Sequence, residues 1–378
     1  SVKVEEKNDD VICSISPNMM LHELNQLLYD NELHCPTLVG CLPFMSFAGG
    51  LSTGSHTAYG FLSDIVEGIR VILPNGEARE YKKGGENFDL VCQHARFGLL
   101  GTITGIDIRV KKNPNKLQRV VELSTYGDFM AKIEKESKED KIPLESRAII
   151  FSPIDLSNKS PIKMTRFEFV ADKPYEGIAG PQVADDSLKM RTVLPWVAKK
   201  HPKWLSKIFR QKMLSPSLAV TTIARPADVM GAESQLAGQL TELGLFFDYR
   251  KDDVDKVLGR LQELLAYHQA LKQFPVNMAI FIRFPKKPSP GEGHVVAIDF
   301  ASMGVDLSST PALVNELMAY MISEDIAPRV HYGKSHGVGL NNSLSQSGES
   351  WKDLKEKYRK FYQDETLNQN VLSSKLSG

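Results

Sequence analysis

Apolar positions recur along this chain with two periods, and the switches between them mark the predicted elements. Val2 and Val4 alternate with polar residues, and after Asn8-Asp9-Asp10 comes Val11-Ile12-Cys13-Ser14-Ile15. That pattern predicts a β-hairpin. Ser16-Pro17 then offers an N-cap and a first-turn proline. Met20, Leu24, Leu27 and Leu28 share one face of a helix predicted over about 18–29. Residues 65–73 read as a strand, and Pro74-Asn75-Gly76-Glu77 carries the Asn-Gly hairpin signal. A helix near 87–96 and a β-branched strand over 102–110 follow.

The composition changes at Lys111-Lys112-Asn113-Pro114-Asn115, where we place a domain boundary. Beyond it, strands are predicted near 117–123, 146–152, 163–171, 242–249, 276–284 and 294–301. Helices are predicted near 126–137, 251–271 and 310–323. The fold class is therefore α+β, with an antiparallel sheet flanked by helices in the second region. A final helix over 350–363 presents Trp351, Leu354, Tyr358, Phe361 and Tyr362 on one side. Three parts result: residues 1–112, 113–340 and a tail, 341–378, packing back on the first.

Composition narrows the function classes. Lys+Arg and Asp+Glu number 46 each, so no global charge draws the chain to nucleic acid. Cys13, Cys35, Cys41 and Cys92 form no C-x-x-C pair and read as reduced thiols of a cytoplasmic protein. No apolar run approaches the roughly 18–20 residues of a membrane span. No His/Cys cluster has metal-ligand spacing, since His331 and His336 are five apart, so no metal is expected.

Two stretches stand out chemically. Residues 48–60, Ala-Gly-Gly-Leu-Ser-Thr-Gly-Ser-His-Thr-Ala-Tyr-Gly, hold four glycines, three Ser or Thr before the histidine, and one histidine. Such a run suits close backbone approach to a diphosphate, and equally a flexible surface loop. It is neither a P-loop nor a Gly-x-Gly-x-x-Gly fingerprint. Over residues 187–215, Lys189, Arg191, Lys199, Lys200, Lys203, Lys207, Arg210 and Lys212 interleave with Trp196, Trp204, Ile208 and Phe209. One reading is a helical excursion with a solvated basic face and tryptophans packed on the body. The other is a helix lying on an anionic membrane surface.

The order of motifs carries a resemblance. The glycine run closing on His56 precedes Leu62-Ser63-Asp64-Ile65-Val66. Leu73–Glu77, Glu86–Leu90 and Gly98-Leu99-Leu100-Gly101-Thr102-Ile103-Thr104 follow. Far downstream come Arg283, Ser289-Pro290 and Arg329-Val330-His331-Tyr332-Gly333-Lys334. The chain thus resembles the vanillyl-alcohol-oxidase (PCMH-type) flavoproteins, nearest the sugar-1,4-lactone oxidase and alditol oxidase branch. The resemblance implies the second subdomain of a PCMH-type FAD-binding domain plus a cap domain. The family's first βα subdomain is expected to lie before the point where this sequence begins.

The resemblance also implies roles. Gly49, Gly50, Ser52, Thr53, Gly54 and His56 would line FAD. Gly60 and Ser63 would continue that wall, and Gly101 with Ile103 would hold the adenosine side. Lys334, Arg283 and His331 would be catalytic, the cations stabilising charge on the reduced flavin. The substrate would be a polyol or sugar lactone oxidised at a secondary alcohol, with oxygen or another acceptor taking the electrons. Two positions depart from the family pattern. Phe281 stands where active members commonly carry the Glu of Glu-x-Arg, and Thr57 replaces the glycine of His-Gly. An alternative reading follows: a lapsed member serving as a binding or membrane-peripheral module through 187–215. From its sequence, Arg283 ends an apolar strand, and an inward arginine there requires an anionic or polar partner.

Overall fold

The computed structural model describes residues 3–7, 10–37, 45–57, 60–73, 75–92, 101–112, 116–138, 147–153, 157–170, 196–213, 221–224, 240–286, 293–303, 309–331, 334 and 356. Two antiparallel sheets organise them. The first contains β1 (Lys3–Lys7), β2 (Asp10–Ile15), β3 (Leu33–His34), β4 (Val66–Ile72), β5 (Ala78–Lys82) and β6 (Thr102–Lys112). Its order is β1-β2-β6-β4-β5, with β3 also pairing β6. β1 and β2 form the predicted hairpin, with Lys7 opposite Asp10. β4 and β5 form the second, turning at Gly76 with φ 88°.

The second sheet has eight strands in the order β10-β7-β9-β8-β12-β13-β11-β14. They are β7 (Lys116–Thr125), β8 (Arg147–Phe151), β9 (Pro161–Val170), β10 (Thr221–Ala224), β11 (Leu240–Asp248), β12 (Ala279–Arg283), β13 (Val295–Met303) and β14 (Arg329–Val330). Helices α1 (Leu21–Asp30), α2 (Phe47–Thr53) and α3 (Phe88–Cys92) belong to the first region. α4 (Tyr126–Lys138), α5 (Pro202–Met213), α6 (Lys251–Ala270) and α7 (Ser309–Ser323) belong to the second.

Side-chain alternation gives the second sheet two different faces. Leu243, Leu245 and Phe247 of β11 share a core with Ile298 and Phe300 of β13 and Ile280 and Ile282 of β12. The same core takes Val254, Val257, Leu258, Leu261 and Leu265 of α6, at helical spacing, and Leu313, Val314 and Leu317 of α7. Alternate residues on the same three strands point the other way. In register these are Gly244, Asp299 and Phe281, with Glu242 opposite Ala301 and Arg283 opposite Ala297.

Two local expectations were displaced. The first helix begins at Leu21, with Met20 as N-cap, rather than at Ser16-Pro17. Tertiary pairing is the reason: Leu21 N–H donates to the Met45 carbonyl at 3.0 Å, Phe47 to Met19 at 2.9 Å and Ala48 to Pro17 at 3.0 Å. Those bonds keep 17–20 out of the helix, with Pro17-Asn18 in a turn and Met20 bridged to Ser46. The glycine run is the second case. Its first half is not a loop but helix α2, N-capped by Ser46, whose Oγ accepts from Gly49 N–H at 3.2 Å. Gly54 stops it in the left-handed conformation, φ 75°, ψ 38°.

The predicted helix near 87–96 is seen as Phe88–Cys92, and 93–100 lie outside the described residues. So do Cys41, 187–195, Tyr332, Gly333, Ser335, His336 and, apart from helical Glu356, the predicted C-terminal helix. Cys13, Cys35 and Cys92 are buried and in no disulfide. Burial raises Cys13 to about 11 and Cys35 to about 12, so neither is a thiolate at neutral pH.

Candidate functional site

After α2 the chain makes a tight hairpin. His56 pairs with Phe61, Thr57 N–H donates to the Gly60 carbonyl at 2.9 Å, and Leu62 N–H donates to Ser55 at 3.1 Å. Asp64 fixes the far end by accepting from Phe61 N–H at 2.8 Å. A β-carbon on Gly60 would sit 2.6 Å from that Asp64 carboxylate. The hairpin docks on the second sheet by aromatic packing: Phe61 shares a buried cluster with Phe246, Val295 and Ala297. The His56 ring meets Phe246 edge-on at 4.8 Å and lies 5.2 Å from His331. His331 in turn stacks on Phe246 at 5.6 Å.

Beside this aromatic contact lies a group of charges. Asp299 is fully buried on β13. The Arg283 guanidinium from β12 bonds its Oδ2, and Lys334 Nζ lies 2.6 Å from its Oδ1. Lys334 also reaches Glu242 Oε1 of β11 at 2.7 Å. His56 Nε2 is 3.9 Å from Asp299 Oδ2. Two cations thus meet two carboxylates, one sealed and one, Glu242, about a third exposed (34%). An isolated buried carboxylate would be prohibitive, and this pairing is what makes Asp299 tolerable. It supplies the anionic partner that Arg283 required.

The backbone places these groups with little slack. β14 runs beside β11, and His331 N–H donates to the Gly244 carbonyl at 2.9 Å. Lys334 N–H then donates to the His331 carbonyl at 3.1 Å, which curls its side chain back over β11. A β-carbon on Gly244 would lie 2.6 Å from Asp299 Oδ1, 2.8 Å from His331 Cβ and 3.3 Å from Lys334 Cδ. Only glycine leaves room for all three.

The protonation states follow. Burial alone raises the Asp299 carboxyl, but Lys334 and Arg283, then His56 and His331, hold it well below the usual carboxylate range. Asp299 is a permanent anion. Burial pushes His56 down to about 3, helped by the Arg283 and Lys334 charges and opposed by Asp299 and the Gly54 carbonyl. His56 is a neutral imidazole at any physiological pH. The Gly54 carbonyl acts on its ring, but among the described residues no well-formed hydrogen bond satisfies either ring nitrogen.

Four residues singled out in the sequence, His56, Arg283, His331 and Lys334, therefore converge. Among the described residues, the side chains of the other nine make no hydrogen bond or ion pair with these charged groups. Thr53 Oγ1 donates to the Gly49 carbonyl at 2.9 Å, and Ser52 lies on the same helix α2. A β-carbon on Gly50 would meet Leu62 and Met45 side chains at 2.8 Å, so this glycine serves packing. Gly101, φ 117°, turns under the Ile72 carbonyl, which a β-carbon would meet at 2.3 Å. Ile103 packs against the core. Ser63 Oγ is buried and without a hydrogen-bond partner among the described residues. Sequence reading missed Asp299, Glu242 and Gly244. One signal was present: Asp299 is the lone charge in the apolar run Val295–Met303.

Fit to FAD divides the site. The glycine helix does not fit a diphosphate cradle, because the N–H groups of Gly49, Gly50, Gly54 and Ser55 already donate within the protein. The unsatisfied His56 nitrogens, beside the partly exposed Lys334–Glu242 pair, do fit the polar edge of a ring such as flavin.

No family model matches the chain, and no curated protein matches it. Solved structures do. A solvent-stable cholesterol oxidase aligns with TM-score 0.64 at 13% identity, over 95% of this chain and 80% of its own. Cholesterol oxidase from B. sterolicum aligns with TM-score 0.69 at 14% identity over the same shares. A histidine-to-alanine variant from Brevibacterium sterolicum gives 0.64 at 14%. The chain has the fold of these oxidases. The narrower sugar-lactone and alditol branch rests on the sequence motifs alone.

Proposed function

We propose that this chain is an FAD-linked oxidoreductase acting on the CH–OH group of a secondary alcohol, with its reacting centre at Lys334, Arg283 and His56. The observation that carries the reading is the convergence of His56, Arg283, His331 and Lys334, separated by up to 278 positions in sequence, on one buried carboxylate. The shared fold with cholesterol oxidases supports it.

FAD, when bound, supplies the hydride acceptor. The chain's own groups would do the rest. Lys334, only 14% exposed and held by Asp299 and Glu242, is a fixed ammonium at the rim. A fixed cation in a dry site stabilises developing negative charge without reorganising. Asp299 holds Arg283 and Lys334 in place. His56, neutral, offers one donor and one acceptor nitrogen. Glu242 is the carboxylate open enough to receive a proton from an alcohol. A polyol or sugar lactone is the substrate class the motifs suggest, and a sterol is the class the structural neighbours suggest.

A second reading is favoured by Phe281. Its ring lies 5.6 Å from the Arg283 guanidinium, where the motif expects an acid. On that reading oxidation has lapsed, and the Phe281→Glu variant alone would oxidise alcohols.

The test is spectroscopic. The purified protein should bind FAD, and its flavin absorbance should bleach anaerobically with a member of a polyol, lactone and sterol panel. Protein that takes up no FAD would overturn the proposal.

A further inference from the structure

Among the described residues no helix is long and apolar enough to cross a membrane. One surface nonetheless has the chemistry of a membrane contact. Helical residues 196–200 and α5 dock on the second sheet through Val197, Ala198 and Leu205, which pack with Met278, Ala301, Met303 and Phe281. Ser206 pins the helix by donating to the Asn277 carbonyl at 2.8 Å. With Leu205 and Ser206 inward, helical geometry turns Trp204 and Lys207 outward, flanked by Lys203. The burial pattern agrees. Trp204 is 54% exposed and Trp196 59%, and Lys199, Lys200, Lys203 and Lys207 are all exposed. Among the described residues, more than half of each tryptophan is left uncovered.

Two exposed indoles in one short segment are unusual, because tryptophan's large apolar ring is normally covered. The charge is equally one-sided. Residues 187–227 contain no Asp or Glu in a chain whose net charge is zero. No ion pair to Lys199, Lys200, Lys203 or Lys207 is seen among the described residues, so their charge faces outward.

We propose that Trp196 and Trp204, ringed by Lys199, Lys200, Lys203 and Lys207, form a docking surface for an anionic lipid bilayer. Indole prefers the headgroup region, where its body is in an apolar layer and its N–H meets water. The lysines add attraction to anionic headgroups, which falls off within a Debye length. A polynucleotide would use the lysines but has no need of two protruding indoles on a convex helix. This surface lies on the same sheet face as Phe281 and Arg283, so docking would bring that face to the bilayer. The proposal does not depend on the redox reading.

The experiment is co-sedimentation of the full chain with vesicles of phosphatidylcholine alone or with about 30% phosphatidylglycerol. It is read together with tryptophan emission, since two of the chain's three tryptophans are in this surface. Binding should require the anionic lipid, weaken in about 0.5 M salt and shift the emission to the blue. The fourfold Lys→Gln variant at 199, 200, 203 and 207, and the pair Trp196→Ala and Trp204→Ala, should each weaken binding at least about tenfold with unchanged thermal melting. All six side chains are exposed, and the emission shift of the unaltered protein reads the surface without any variant. Absence of binding to anionic vesicles, or binding that survives both variants, would overturn the proposal. Equal binding to duplex DNA that needs the lysines but not the tryptophans would overturn the assignment to lipid.

Discussion

Gly244 on β11 lies directly across from Asp299 on β13, and a β-carbon at 244 would come 2.6 Å from the Asp299 carboxylate. It would also press on His331 at 2.8 Å. Neither neighbour is the free end of a flexible chain, since Asp299 is held by two cations and His331 by its backbone bond to Gly244. Gly244→Ala should therefore destabilise the fold by about 1–3 kcal/mol, the usual cost of overpacking. Gly259, exposed in α6 with nothing within 4 Å of its β-carbon position, is the control. Gly259→Ala should stabilise by about 0.5–1 kcal/mol through helix propensity. Urea denaturation of both variants checks the pair.

Asp299 is the shared anion of Arg283 and Lys334. Asp299→Asn keeps the shape but leaves Arg283 short of its buried carboxylate. Removing one partner of a buried ion pair costs about 3–5 kcal/mol. The loss should be larger than for Glu242→Gln, whose carboxylate is a third exposed and whose lysine keeps Asp299. Denaturation midpoints of the two variants, compared directly, test this ordering.

The fold should lose stability in acid by two routes with the same sign. His56 takes its proton near 6.5 when unfolded and only at about 3 when folded. The unfolded state therefore binds more protons between those values, and stability falls as pH drops through that window. His34, lowered to about 4 by burial and by Lys111, acts likewise. Asp299, held below the normal carboxylate range, adds a loss only below about pH 4, where the unfolded carboxyl protonates. Each histidine contributes a slope of up to about 1.4 kcal/mol per pH unit. His56→Phe, in its aromatic setting of Phe61, Phe246 and His331, should remove one such slope between pH 6 and 4, as measured by denaturation across pH. An unchanged slope would contradict the burial of a neutral imidazole.

The sequence made some of this site legible and hid the rest for identifiable reasons. Long segments with clean periodicity, such as 251–270 and 295–303, were read to within a few residues. The start of α1 was missed because Pro17–Met20 pair with Met45–Ala48, a contact no local signal announces. The glycine run was read as a loop because glycine is a poor helix former. Its two caps, Ser46 and Gly54, were the available clue. Arg283's need for an anion was readable from its apolar strand. Its partner was not, because pairing register across β12 and β13 decides it.

The most direct measurement of the central claim is anaerobic flavin reduction by a secondary alcohol in the unaltered protein and in Lys334→Met. The account predicts that both bind FAD and that the variant reduces it about a hundredfold more slowly or worse, the scale of losing one fixed charge at a reacting centre. Equal rates in the two proteins, or no FAD binding by either, would contradict it.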